Sequence, residues 1–549
     1  MNPAMDGQPR LNKRLYLLGE PRVVSGHASK HVKIVENEAI PEKRVSHEGP
    51  TVARTSPAWI SVRTASYALV ILGIALRAVP LIQNRCLWID EAMLALNLVD
   101  RTPQQLLEPL DWNQGAPAGF LLAVKATISM FGTAEWSLRL FPFLGSLLGL
   151  IAFTGLSRRL LPQGAALLAI GLFALSPSLI SYTAECKQYA TDAALTIGIL
   201  FLSLSLLYRE KGLRHWVFLA VAGATSVWFS HPVVFVLSAV GSALGMDALV
   251  MKDRRRILAC LATIGSWLIS FAICYVTTLR HLGTNQYLLD YWAGHFLTLP
   301  PASAGDWAWI VSHLSNFVDF PGGLGGTEVK SSGLATACFL VGLVAILRER
   351  WPVASALVAP AVLAMLASGL HKYPFAGRLL LFLVPILILG VARGAWAIVT
   401  ALWSQLPVAS VVVLAMLVLA PAVETYQQIQ RPLRYEQLTL ALEDVRQQWQ
   451  PGDKVYLYYG AVPAYTFYTR DHPFVPGVVK GTEYRGRRTG YRDELRAFAG
   501  EPRVWVIFSH RHQAEESLLR AYAEGLGECR QEIHEPGATA FLYDFSRTP

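Results

Sequence analysis

Charge is what this chain has least of. Only 16% of its 549 residues are Asp, Glu, Lys or Arg, while 53% are hydrophobic and the mean hydropathy is +0.36. A water-soluble globular chain carries about a quarter charged residues, so the shortage excludes an ordinary soluble enzyme and makes the bilayer the solvent for most of the sequence. Cysteine is scarce as well. None of the six forms a Cys-x-x-Cys pair, and Cys260, Cys274 and Cys338 sit inside apolar runs, which leaves no zinc knuckle and no disulfide framework. Cys86 and Cys186, in two candidate external loops, are the one pairing that a bridge could join. No internal repeat is visible. No Gly-x-Gly-x-x-Gly follows the first strand pattern of the C-terminal region, so nucleotide binding has no support. The net charge of +9 resides in short basic clusters between apolar runs, where membrane orientation accounts for it, and nucleic acid is not an expected partner. Residues 1–57 contain no apolar run long enough for a signal-peptide core and read as a disordered cytoplasmic tail.

What the chain does have is apolar stretches close to the ~20 residues that cross a bilayer, recurring from Trp59 to residue 423. Spans are expected at 59–82, 135–157, 163–183, 190–208, 215–230, 233–251, 257–279, 332–347, 353–370, 379–397 and 405–423, eleven in all. With the N-terminus inside, this count puts Arg158-Arg159, Arg209/Lys211/Arg214, Lys252 with Arg254-Arg255-Arg256, and Arg348/Arg350 in the cytoplasm, as the positive-inside bias requires. Residues 117–131 are apolar but short and carry Lys125. They are read as an interfacial helix, as is a second helix starting at Asp90 with Asp90 as its N-cap. The expected organisation is a tail (1–57), a polytopic α-helical membrane domain (58–423) and a small external α/β domain (424–549). In the last, helices are expected at 435–449, 492–498 and 513–524, and strands at 454–459, 503–508 and 540–545.

That topology gathers the polar residues on one face. The first external loop carries Asp90, Glu91, Asp111, Asn113 and Gln114, the second runs from Tyr182 to Asp192, the third has Ser230-His231-Pro232, and the fifth runs from His371 to Arg378. The fourth, from Arg280 to Lys330, is aromatic and glycine-rich and long enough for a lid. Adjacent carboxylates at a membrane surface are costly without a task, and cations at external span ends run against the usual bias.

The Asp90-Glu91 pair after the first span, the Gln114-Gly115-Ala116-Pro117 turn, the segment Phe131-Gly132-Thr133-Ala134-Glu135-Trp136-Ser137-Leu138-Arg139 and the Glu185/Lys187/Tyr189/Asp192 cluster resemble the GT-C membrane glycosyltransferases. The likeness is to the family 39 set, which includes protein O-mannosyltransferases and the lipid A aminoarabinose transferase, and covers residues 59–400. It implies a multi-pass enzyme of the plasma (inner) membrane. Such an enzyme moves a sugar with inversion from a polyprenyl-phosphate donor to a lipid, glycan or protein acceptor on the external face.

The chemistry gives each residue a role beside the resemblance. An acceptor hydroxyl attacking an anomeric carbon needs a base, for which Asp90 is the candidate, matching the family's catalytic aspartate. Glu91 is its catalytic partner or the holder of acceptor, metal or Arg139. The departing phosphate gains charge in the transition state, which Lys187, Arg378 and Lys372 are placed to stabilise, Arg378 best because its fork fits phosphate. Gln114, Arg139, Glu185, Tyr189, Asp192 and His231 are expected to shape the site. No cofactor is required, and a divalent metal held by a mixed His/Asp/Glu set stays open. The alternatives are a lipid-linked-glycan polymerase or ligase, and a transporter or flippase; the lack of acidic residues in the span centres counts against the last. The chain departs from the commoner family pattern in having no basic residue before the proline of the first-loop turn, where Asn113-Gln114-Gly115-Ala116-Pro117 stands.

Overall fold

A computed structural model describes residues 61–546 except 209–211, 327, 433–435, 472–473, 476, 486–488 and 513. The tail expected at 1–57 lies outside the described residues, which all belong to one unit, Ile60–Pro549. Each of the eleven expected spans is helical. Among the described residues nine helices are long and apolar enough to cross a membrane, and the protein is a multi-pass membrane protein. These are α1 (Val62–Gln83), α4 (Glu135–Leu160), α7 (Tyr189–Tyr208), α9 (Val233–Val250), and α10 (Arg254–Cys274) continued through a wide turn into α11 (Arg280–Leu282). The remainder are α14 (Ser332–Glu349), α15 (Trp351–Gly369), α16 (Val384–Leu402) with the 3-10 turn before it, and α17 (Pro407–Gln430). A tenth span is broken. α5 (Gln163–Ala174) and α6 (Pro177–Ser181) with its following turn are bent by 51°, because Pro177 cannot continue α5. The eleventh, α8 (Leu213–Ser226), has 14 residues, fewer than a full span takes by itself, so among the described residues nine or ten of the expected eleven are long and apolar enough on their own.

Between the spans lie α2 (Ile89–Asp100), α3 (Ala118–Phe131), α12 (Gln286–Tyr291) and α13 (Ala304–Asp319). α3 is 14 residues, about 21 Å at the usual rise, short of a hydrocarbon core. The charge that made its sequence ambiguous is used locally: Lys125 Nζ donates to Leu98 O at 2.7 Å and Val99 O at 3.2 Å, the free carbonyls at the C-terminal end of α2. Helices α14 and α16 cross at small residues. A Cβ at Gly394 would collide with Cys338 O and one at Gly342 with Gly390 O, so glycine is what permits that approach.

The two ends of the bundle differ in charge. Arg159 Nη1 donates to Ser205 Oγ at 3.1 Å, Arg256 Nη2 to Leu206 O at 3.0 Å, and Arg350 lies 4.7 Å from the Tyr208 ring, so three basic clusters meet at the C-terminal end of α7. Tyr189, at the other end of this 20-residue helix, is about 30 Å away among the candidate site residues.

The C-terminal region is a five-stranded sheet in the order β2-β1-β3-β5-β4, with α18 (Leu438–Gln447), β1 (Lys454–Leu457), α19 (Val462–Tyr468), β2 (Val478–Lys480), α20 (Thr489–Arg496), β3 (Val504–Ser509), α21 (Glu515–Glu524), β4 (Glu528–Glu535) and β5 (Ala538–Asp544). β2, β1 and β3 are parallel, and β5 and β4 are antiparallel. β4, β2 and α19 were not expected from sequence. β4 is an edge strand so polar that only Ile533 is buried, and β2 is three residues long. α17 continues to Gln430, past the expected boundary at 423, because Thr425 Oγ1 donates to Leu175 O at 2.7 Å and Gln428 Oε1 accepts from Ser181 Oγ at 2.9 Å. One apolar core joins α2 and α3 to the sheet, with Ala92, Leu94, Leu98, Phe120 and Val124 packing in the cluster that holds Leu438, Leu457, Val462 and Trp505.

Arg77 of α1 is 0% exposed. Its Nη2 donates to Phe173 O at 3.0 Å and its Nη1 to Ala174 O at 3.3 Å, the carbonyls that the break after α5 releases. Its Nε donates to Ser146 Oγ at 3.0 Å, and Ser146 in turn meets Thr183 Oγ1 at 2.8 Å. Replacing Arg77 by Met should strand those carbonyls and cost about 2–4 kcal/mol, read as a lower unfolding temperature in detergent; Ser146→Ala should cost about 1 kcal/mol. Equal stability of Arg77→Met and wild type would contradict this.

Candidate active site

The loop between α1 and α2 places the paired carboxylates. α2 begins at Ile89 with Trp88 as its cap residue, so Asp90 lies inside the first turn and is not the N-cap expected from sequence. Its carboxylate takes an ion pair from Arg378 Nη2. The Asp90 and Arg378 side chains keep 19% and 16% of their surface exposed. Arg378 also lies 5.3 Å from the Trp88 ring and 5.7 Å from the Tyr189 ring, which fix the plane of its guanidinium.

Glu91 faces the other way and is 0% exposed. Arg139 Nε donates to its Oε1 at 2.9 Å and Arg139 Nη2 to its Oε2 at 2.8 Å, the bidentate fork that Arg and carboxylate share. Arg85 Nη1 donates to Oε2 at 3.0 Å and the Cys186 amide to Oε1 at 2.8 Å. Burial acts to raise the carboxyl's pKa, but the two guanidiniums and the amide outweigh it and hold Glu91 at about 2. With four donors on two oxygens, Glu91 is an anchor between α2, α4 and the loop before the helix Tyr189–Tyr208. Of its expected partners it has Arg139.

The second loop bends at Glu185–Lys187, where the Lys187 amide donates to Glu185 O at 2.7 Å, and turns at Gln188 before α7 starts at Tyr189. Lys187 is thereby released from helical phase with Glu185 and Asp192, and its Nζ donates to Gln114 Oε1 at 2.6 Å. Lys187 is buried, which lowers its pKa, and Asp90, Arg378 and Glu185 are all within electrostatic reach. Glu185 Oε1 lies 3.7 Å from Arg85 Nη2. Asp192 is buried in the first turn of α7 near the Ser230 hydroxyl and Tyr373. His231 lines a cleft with Gln114, Thr278, His281 and Asn285, and burial pushes its pKa down to about 4, so it is neutral at pH 7. A second cleft, on the side of Arg85, Tyr182 and Glu185, is bounded by Gln83, Phe320 and Gln428. Lys372 is exposed on the loop before Arg378 and is not drawn into the cluster. Cys86 and Cys186 are free thiols. Cys86 Sγ donates to Gln437 Oε1 at 2.9 Å, and burial raises Cys186 to about 12. Among the described residues no three His, Cys, Asp or Glu side chains gather as a metal site.

No family sequence model matches the chain, and no characterised protein matches it by sequence. Solved structures do. ArnT from Cupriavidus metallidurans bound to undecaprenyl phosphate superposes with a TM-score of 0.52 at 13% identity, over 87% of this chain and 97% of that one. The chain has the GT-C fold. The archaeal oligosaccharyltransferase AglB from Archaeoglobus fulgidus, in complex with an inhibitory peptide and a dolichol-phosphate, matches at a TM-score of 0.48 and 11% identity over 90% of this chain and 75% of that one.

Within this GT-C fold, sequence reasoning missed Arg85, Trp88 and Tyr468. Tyr468 of α19 accepts from the Leu87 amide at 2.8 Å and donates to Glu135 Oε1 at 2.9 Å, so the sheet domain holds the backbone just ahead of Asp90. Arg85 was a signal of the same kind as Arg378, a cation in a loop between apolar runs.

Because the folded pKa of Glu91 lies below its ordinary 4.5, the stabilisation it provides is present above pH 4.5 and is lost as pH falls towards about 2. Glu91→Gln should cost about 3–5 kcal/mol at pH 7, since it leaves Arg139 and Arg85 buried without their counter-charge. It should also flatten the acid limb of stability against pH, measured by thermal unfolding between those two pH values. An unchanged acid limb would contradict the anchor.

Proposed function

We propose that the protein is a membrane glycosyltransferase that moves a sugar from a polyprenyl-phosphate donor to an acceptor hydroxyl at the external membrane face, with inversion at the anomeric carbon. The observation that carries this is the Asp90–Arg378 pair, set beside Lys187 on the side of the bundle opposite the basic clusters. By the positive-inside bias that side is external, with the N-terminus in the cytoplasm and the sheet domain outside a plasma membrane.

In this reading the acceptor oxygen attacks the anomeric carbon as its proton passes to the Asp90 carboxylate. The bond from that carbon to the phosphate oxygen breaks, and polyprenyl phosphate leaves with the electron pair. Arg378 serves both partners. While it is paired with Asp90 it holds that carboxylate in the weakly basic state; a donor phosphate draws the guanidinium towards its own oxygens and leaves Asp90 free to take the proton. Lys187 adds a second cation for the leaving phosphate, with Gln114 steering its ammonium. Lys372, exposed on the same loop as Arg378, is suited to meeting the donor at the membrane surface. Glu91, Arg139 and Arg85 keep the reacting loop in place, and Tyr189, Glu185, Asp192 and His231 form the walls. The two clefts on either side of the cluster suit a reaction with two substrates.

Purified protein in nanodiscs, given a panel of radiolabelled sugars on undecaprenyl phosphate with lipid, glycan and protein acceptors, should transfer label from at least one donor. Arg378→Ala should lower kcat by about 100-fold or more. Absence of transfer from every donor would refute the reading.

A further inference from the structure

The strand order of the external domain changes direction at β1. The chain leaves β1 for β2 on one side, then crosses to β3 on the other, and in such sheets the loops after the parallel strands frame a ligand crevice. Here those loops begin at Tyr458-Tyr459-Gly460 after β1, Gly481 after β2 and His510 after β3. They come together tightly, since a Cβ on Gly460 would lie 2.7 Å from His510 O and 2.9 Å from Ser509 O. The floor is rigid. Glu515, buried at the start of α21, accepts from the hydroxyls of Tyr458, of Tyr459 at 3.1 Å and of Tyr491 at 3.2 Å.

Above that floor stand paired charges. Arg485 Nε donates to Tyr459 Oη at 2.9 Å and lies 3.1 Å from Glu483, and His510 Nδ1 meets Glu436 at 2.8 Å. Ser509 Oγ, buried at the end of β3, has no hydrogen-bond partner among the described residues. The crevice adjoins the reacting pair on two sides. The His510 ring is 6.1 Å from the Trp88 ring, which in turn lies 5.3 Å from the Arg378 guanidinium. Tyr287, 47% exposed on the long external loop, lies within electrostatic reach of Asp90, Glu483 and Arg485 together.

We propose that this crevice, with Tyr287, Tyr459, Glu483, Arg485, His510 and Glu436 as its lining, binds the acceptor and takes a neutral carbohydrate. Arg485 is held by Glu483 and the His510 ring meets Glu436, so the lining offers paired donors and acceptors to hydroxyl groups. Tyrosine faces suit the apolar face of a sugar ring, and none of these six residues is aliphatic. The proposal deepens the transferase reading and rests on it for the word acceptor; the carbohydrate site itself stands on the crevice.

Saturation-transfer NMR of the full chain in nanodiscs tests it directly, using methyl β-glucoside, methyl α-mannoside and methyl N-acetyl-β-glucosaminide as probes. At least one glycoside should receive saturation. Arg485→Ala and Tyr287→Ala should each weaken its binding about tenfold, while Arg530→Ala on the remote edge strand should not. No signal from any of these glycosides with the wild type, or a signal indifferent to both crevice variants, overturns the proposal. Binding does not require turnover, so a failure of the transferase reading appears separately, as absent transfer from the donor panel.

Discussion

The buried carboxylate of Glu91 ties the structure's three working segments together. Its four donors come from α4, from the loop before α2 and from the loop before α7, so that Arg139, Arg85 and the Cys186 amide are all held by one side chain. A buried ion cluster is stable only when its charges are met by good hydrogen bonds, and here the carboxylate takes four. The consequence for chemistry is indirect but strict. With Glu91 turned inward and locked, Asp90, one position earlier and about 100° round the helix, is directed away from that cluster, towards Arg378.

The same economy of charge appears elsewhere. Arg77 has no carboxylate beside it and is satisfied by carbonyls at a helix break, and Lys125 is satisfied by carbonyls at a helix end. The sheet domain has its own part in this. It shares an apolar core with α2 and α3 and reaches Leu87 through Tyr468, so the start of α2 that bears Asp90 is braced by Arg139 of α4 on one hand and by the sheet domain on the other.

Much of the membrane architecture was legible in the sequence because hydropathy and the basic clusters are strong one-dimensional signals. The break at Pro177 and the shortness of α8 were not, since both depend on where a helix stops inside an apolar run. The pairing of Asp90 with Arg378, 288 positions apart, had no signature beyond the presence of both on the external side. The position of Lys187 relative to Glu185 and Asp192 was not legible, because residues 185–188 bend and turn between the helices to deliver the Cys186 amide to Glu91. In the sheet domain the buried strands were readable from β-branched and aromatic runs. The edge strand β4 alternates charged residues with its few buried ones and reads as a surface loop.

The central claim is that Asp90 is the base and that Arg378 restrains it until a donor phosphate arrives. The most direct measurement is kcat for sugar transfer together with the dissociation constant for undecaprenyl phosphate in Asp90→Asn. The account requires kcat to fall by about 1,000-fold while undecaprenyl phosphate binds as tightly as in the wild type or more so, because its cation has been released. Unchanged kcat in a folded Asp90→Asn protein would contradict it.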